Sequence, residues 1–295
     1  MNNKQTKLQL NAYNGGIAFS FMMTLYVFIS FIGQAVCGAI FDRNSSAYVA
    51  ICSTFSVISL LVVILFYIFY GKNKFKSTVS VEKAGGKYIV IAMLLSVGMF
   101  AGLGFVNGTI AQILARVGLS VSGIDLNIST ALHFVVYTLT FAIFPAIVEE
   151  FFFRGVLLNS LSGIKNLFAV LISALCFALY HCSLAQFVYQ FIYGVLLGYL
   201  ALVAKSTIPC IVAHFINNFA VILFTFIGVN INLISPVVLV IGINALAIFS
   251  TILFFAIKKL GKKETIKGET GKFFLPFGLF GLLICVSLLL GNLLV

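Results

Sequence analysis

Residues 129–158 read STALHFVVYTLTFAIFPAIVEEFFFRGVLL. From Ser129 to Val148 the run holds no acidic residue, lysine or arginine. About 20 apolar residues, at 1.5 Å each along an α-helix, cross a hydrocarbon layer ~30 Å thick. The apolar positions do not alternate, which argues against a barrel strand and for a helix. Glu149, Glu150 and Arg154 then fall inside the same run, where charge is costly. The segment therefore predicts a membrane helix built around a polar purpose.

The rest of the chain follows suit. Of its 295 residues 62% are apolar and 8% charged, against roughly 25% charged in soluble domains, so lipid must solvate much of the surface. A ~20-residue window predicts spans near 16–41, 47–70, 88–115, 129–158, 165–182, 184–204, 206–228, 233–257 and 273–294. The fold class is all-α, a polytopic transmembrane bundle of about eight or nine spans. The first apolar run follows Lys4 and Lys7 but is too long for a signal-peptide core, and it reads as a retained span. Three parts result: N-terminal spans with a basic loop (1–128), a polar-bearing helical core (129–228) and C-terminal spans (229–295).

Cys37, Cys52, Cys176, Cys182, Cys210 and Cys285 lie in apolar segments without CxxC spacing, which indicates neither disulfides nor a cysteine zinc site. The net charge of +11 sits at span ends, where membrane orientation accounts for it and nucleic acid need not. With the N-terminus in the cytoplasm, Lys4, Lys7, Lys72, Lys74, Lys76, Lys83, Lys87, Arg154, Lys165, Lys205, Lys258, Lys259, Lys262, Lys263, Lys267 and Lys272 sort inside. Only Arg43 and Arg116 sort outside. Sixteen against two predicts an N-in topology. Loops 71–87 and 258–272 read as solvated. Three GxxxG pairs, Gly98/Gly102, Gly104/Gly108 and Gly194/Gly198, read as sites of close helix packing.

Of seven acidic residues, only Glu149 and Glu150 lie within a span. A carboxylate there costs ~2.5 kcal/mol or more even on insertion scales, so function is the default reading. Glu150 and Arg154 are spaced i, i+4 and should pair on one face. Glu149 points ~100° away and must find its partner on another helix. Pro145, four residues earlier, removes a backbone hydrogen bond and should bend the helix there. The three histidines, His133, His181 and His214, all fall in predicted membrane segments, and His214 shares a helix face with Asn218. From the nearest cytoplasmic turn, Glu149 lies ~17 Å deep, His214 ~13 Å, Asn218 ~20 Å and His181 ~24 Å, so these four can surround one cavity. His133 starts its span near the opposite face and reads as structural.

EExxxR (Glu149–Arg154), FxxxH (Phe177–His181) and HxxxN (His214–Asn218), in this order on separate helices, resemble the motifs of the CAAX-protease and bacteriocin-processing (CPBP) family. That family is also called ABI or type II CAAX prenyl endopeptidase. The resemblance spans roughly residues 129–228. It implies an intramembrane endopeptidase acting on a membrane-associated or lipidated protein or peptide. It assigns Glu149 as general base, His181 as its helper in activating water, and His214 and Asn218 as oxyanion donors. Glu150 and Arg154 become their support.

Alternatives stay open. Glu149, His181 and His214 would also suffice as a three-ligand zinc site, although HExxH is absent; the metal-free reading, with no cofactor, is preferred. Cys182 is a poor nucleophile beside His181, because adjacent helical residues diverge by ~100°. The same polar residues could instead form a proton relay or ion-pair lock in a transporter or a non-catalytic scaffold, though no internal repeat supports a transporter. Nothing in the residues fixes the substrate or the oligomeric state.

Overall fold

The computed structural model describes residues 10–70, 74–119, 126–229, 236–260, 269–275 and 277–294. Among these residues there is no strand. Seven helices are long and apolar enough to cross a membrane: α1 (Ala12–Ile40), α2 (Ser46–Phe69), α4 (Gly86–Arg116), α5 (Ala131–Gly163), α7 (Leu184–Ala204), α8 (Ile208–Phe226) and α9 (Pro236–Lys258). Two shorter apolar helices, α6 (Asn166–Tyr180) and α11 (Phe277–Leu294), complete the set. Between them lie the short helices α3 (Phe75–Val79) and α10 (Glu269–Phe274). All nine expected apolar segments are helical, the last being divided between α10 and α11. The protein is a multi-pass membrane protein.

Polar caps set several helix starts. The Asn11 side chain accepts from the Asn14 amide, Ser45 from Tyr48 and Thr130 from His133. Outward-facing side chains are large and apolar: Phe31 is 78% exposed, Phe69 74% and Val237 68%. In water such a surface would aggregate, whereas in lipid it is solvated.

The connections between the apolar helices, the shorter α6 included, collect at two ends. At one end Ser206 Oγ donates to the Glu82 carbonyl at 2.6 Å and Thr207 Oγ1 to the Val79 carbonyl at 3.0 Å. Lys74, Lys76, Lys83 and Lys87 lie at this lysine-rich end. At the opposite end Asn292 Nδ2 donates to the Cys182 carbonyl at 3.0 Å.

The expectation of a solvated loop at 71–87 needs correction. Thr78 and Val79 are buried, and α3 lies beneath α5 so closely that a Cβ on Gly155 would come within 2.7 Å of Val79 Cα. A turn that offers its carbonyls to Thr207 and its valine to the core has polar and apolar partners together, so it folds under the bundle. Of the other basic loop, 261–268 lies outside the described residues, and Glu269 pairs with Lys272 at 2.5 Å.

Two GxxxG pairs act as close-packing sites. A Cβ on Gly194 would lie 3.0 Å from Ala174 Cα, and one on Gly198 3.0 Å from Val170 Cγ1, which seats α7 against α6. Gly98 and Gly102 meet Leu246 and Gly242 of α9 in the same way. At Gly104 no neighbour lies within 4 Å of such a Cβ, and Gly104 and Gly108 both line the central cavity.

Candidate active site

Helix α5 is not a uniform α-helix. Thr138–Ile143 and Phe151–Leu157 wind as π-helix, leaving Phe144–Glu150 as an α-helical stretch between them. Such widened turns favour functional positions. Pro145 sits at the start of the α-helical stretch, just past the end of the first π stretch. Having no N–H, Pro145 cannot bond the Phe141 carbonyl four residues back, and Asn218 Nδ2 of α8 donates to that oxygen at 3.0 Å.

The expected ion pair is present and fully enclosed. Arg154 Nη1 donates to Glu150 Oε1 at 2.8 Å, with Arg154 2% and Glu150 0% exposed. Its guanidinium carbon lies 4.3 Å from the centre of the Phe177 ring, and Nη2 reaches the Gly194 carbonyl at 3.5 Å. A second contact escaped sequence reasoning: His214 Nδ1 lies 2.9 Å from the same Glu150 oxygen. Glu150 thus faces two cationic or proton-donating groups, from its own helix and from α8.

Glu149 faces the other way. Its Oε2 has no hydrogen-bond partner within the protein, and the nearest imidazole nitrogen, His214 Nε2, stands 3.9 Å off. This gap exceeds a direct hydrogen bond. His181 caps the C-terminus of α6, where its Nδ1 lies 2.8 Å from the Phe177 carbonyl. A carbonyl oxygen only accepts, so Nδ1 carries the proton and Nε2 of the neutral ring is left as an acceptor.

Glu149, His181, His214 and Asn218 all line one cavity of about 1110 Å³. Glu150 and Arg154 sit behind its wall, and neither His133 nor Cys182 lines it. Cys182 Sγ instead contacts the Tyr180 carbonyl at 3.5 Å.

Three lining residues went unassigned in the sequence. Tyr189 donates to Asn217 Oδ1 at 2.6 Å, and Asn217 Nδ2 reaches Asn218 Oδ1 at 3.5 Å, so Asn218 is held at both ends of its amide. The Tyr180 hydroxyl is buried without a hydrogen-bond partner, its ring packed against those of His181 and Phe153. A buried asparagine doublet and a tyrosine next to the motif histidine were visible signals, but their directions were not.

Among the described residues no three His, Cys, Asp or Glu side chains converge as a metal-binding group.

Residues 131–220 match the family model described as type II CAAX prenyl endopeptidase Rce1-like. Over this segment the chain is similar to the Rce1-like family. The matched span carries Glu149, Tyr180, His181, Tyr189, His214, Asn217 and Asn218, and the family's description makes peptide hydrolysis the chemistry to explain. No curated protein and no solved structure matches the chain. The Rce1-like core thus covers about α5 to α8, and α1, α2 and α4 supply the facing wall of the cavity.

Proposed function

We propose that the chain is an intramembrane endopeptidase that hydrolyses a peptide bond of a membrane-associated or lipidated protein or peptide. The observation that carries this reading is the contrast between two adjacent carboxylates. Glu150 is engaged through Oε1 by Arg154 and His214 and stays outside the cavity lining, whereas Glu149 lines the cavity and makes no hydrogen bond through Oε2. A general base needs that freedom.

In the reaction Glu149 takes a proton from water, with His181 Nε2 accepting a hydrogen bond from the same water. The hydroxide adds to the substrate carbonyl carbon, and the C=O electron pair moves onto oxygen. The oxyanion is met by donors in the cavity wall: the remaining N–H of Asn218, His214 Nε2 and the Tyr180 hydroxyl. For Nε2 to donate, His214 must carry both ring protons, and Glu150 is the counter-ion such a ring needs. Collapse of the tetrahedral adduct breaks the C–N bond, and the proton held by Glu149 passes to the leaving amine. The products are one carboxyl and one amine, with one water consumed and no metal step.

A library of fluorogenic peptides, S-farnesylated CAAX-type sequences and unprenylated counterparts, tests the proposal with purified protein in lipid bicelles. Wild type should cleave members of the library with uptake of one water, while Glu149→Gln and His181→Ala should not. Full activity of Glu149→Ala refutes the base.

A further inference from the structure

We infer that the cavity is served from the face opposite the lysine-rich end, so that its substrate is an extended peptide segment presented on the non-cytoplasmic side of the membrane. The inference rests on the endopeptidase reading for its chemistry, but its geometry stands apart from it. The residues that line the cavity come from the opposite-end halves of their helices, with Glu149 and His214 at its depth. Tyr48, Cys52 and Ser56 lie in the first half of α2, Gly104 and Asn107 in the second half of α4, and Gln186 and Tyr189 at the start of α7. Arg43 and Asn44 from the α1–α2 connection and Asn127 from the approach to α5 reach the mouth.

The other end is shut. Beyond Glu149 toward the lysines, Phe152, Phe153, Arg154, Gly155, Val156 and Leu157 are all buried. Beneath them α3 closes on Gly155, and Thr207 bonds the Val79 carbonyl. A substrate entering from that side would have to displace the Glu150–Arg154 pair. Lysine and arginine collect on the cytoplasmic side of membrane proteins, and among the described residues Lys74, Lys76, Lys83, Lys87, Lys165 and Lys205 lie toward the closed end against Arg43 and Arg116 toward the other. The open end therefore faces outward.

The wall also selects a chemical class. Gln34, Asn44, Asn107, Asn127, Gln186 and Gln190 bring six amides to the cavity, each able to donate and accept, as an extended backbone requires. From Ala131 to Glu149 the helix rises about 27 Å, enough for roughly eight extended residues between mouth and base. An exported peptide or the outer segment of a membrane protein meets these conditions. A lipidated C-terminus held at the cytoplasmic surface does not.

The test has two arms. In a background with Cys52→Ala, Asn127→Cys and Lys74→Cys are labelled with a membrane-impermeant maleimide on intact cells. Position 127 should react, and position 74 should react only after permeabilisation. In parallel, right-side-out and inside-out membrane vesicles receive the unprenylated, impermeant peptides of the library. Right-side-out vesicles should cleave them, and inside-out vesicles should do so only once opened with detergent. The reverse labelling pattern, or cleavage confined to sealed inside-out vesicles, overturns the outward mouth and leaves the endopeptidase reading intact. No cleavage of any library member even in detergent overturns the endopeptidase reading and the substrate assignment with it, while the labelling still decides which way the cavity faces.

Discussion

Glu149 and Glu150 are adjacent, both nearly or wholly buried, and should respond oppositely to the same substitution. Glu150→Gln removes the only carboxylate that contacts the Arg154 guanidinium at 2.8 Å and the His214 ring at 2.9 Å. With Arg154 2% exposed, its charge is left uncompensated, a loss of ~3–5 kcal/mol. Glu149→Gln removes a charge with no direct hydrogen-bonding partner at Oε2, so it should leave stability within ~0.5 kcal/mol of the parent or raise it. Reversible unfolding in mixed micelles measures both. Arg154→Met completes a double-mutant cycle, in which the double variant Glu150→Gln/Arg154→Met should lose about 2 kcal/mol less than the sum of the singles. Equal destabilisation by the two glutamine variants would refute the division of labour between the carboxylates.

Tyr180→Phe should insert and fold normally while turnover of the cleaved library peptide falls on the order of 100-fold, the effect of losing one oxyanion donor; unchanged kcat removes Tyr180 from the site. Pro145→Ala returns an N–H to compete for the Phe141 carbonyl, so unfolding should show no loss of stability while kcat drops as Asn218 loosens, and a kcat equal to wild type defeats that link. Elemental analysis of purified wild type, His181→Ala and His214→Ala should find no stoichiometric zinc in any; about one zinc per chain, lost in both variants, would establish the metallo alternative.

Most of the fold was legible because the bilayer imposes a coarse rule: ~20 apolar residues make a span whatever they pack against. The polar cluster was legible for the same reason in reverse, since charge that costs energy to insert stands out from its surroundings. The Glu150–Arg154 pair followed from helix geometry within one segment. The His214–Glu150 contact did not, because 64 residues separate the two and nothing local fixes which carboxylate an imidazole will meet. Pro145 announced a freed carbonyl but not its new donor. Gly104 opens the same GxxxG spacing as Gly194, yet only Gly194 of the two meets a neighbouring helix, since spacing says nothing of what lies opposite. The burial of Val79 in an otherwise basic loop depended likewise on Gly155, which leaves a gap only when α3 comes to fill it.

One imidazole joins the sealed half of this cluster to the open half. His214 touches Glu150 through Nδ1 and points Nε2 toward Glu149, so the ring stands between a carboxylate that is neutralised by its neighbours and one that is not. Adjacent helical residues diverge by ~100°, which is what lets one helix send Glu150 into the core and Glu149 into the cavity. The two carboxylates therefore need not share a counter-ion: Arg154, stacked on Phe177, holds Glu150 in place from below, and the polar wall with its path to water accommodates Glu149 from above. An active site at this depth could not be built from Glu149 alone, because a lone carboxylate would leave His214 free to swing and pair with it directly, closing the 3.9 Å gap in which a water can be activated. Glu150 holds the histidine back through Nδ1, and in the proposed mechanism this makes the second glutamate of the doublet a condition for the first to act as a base.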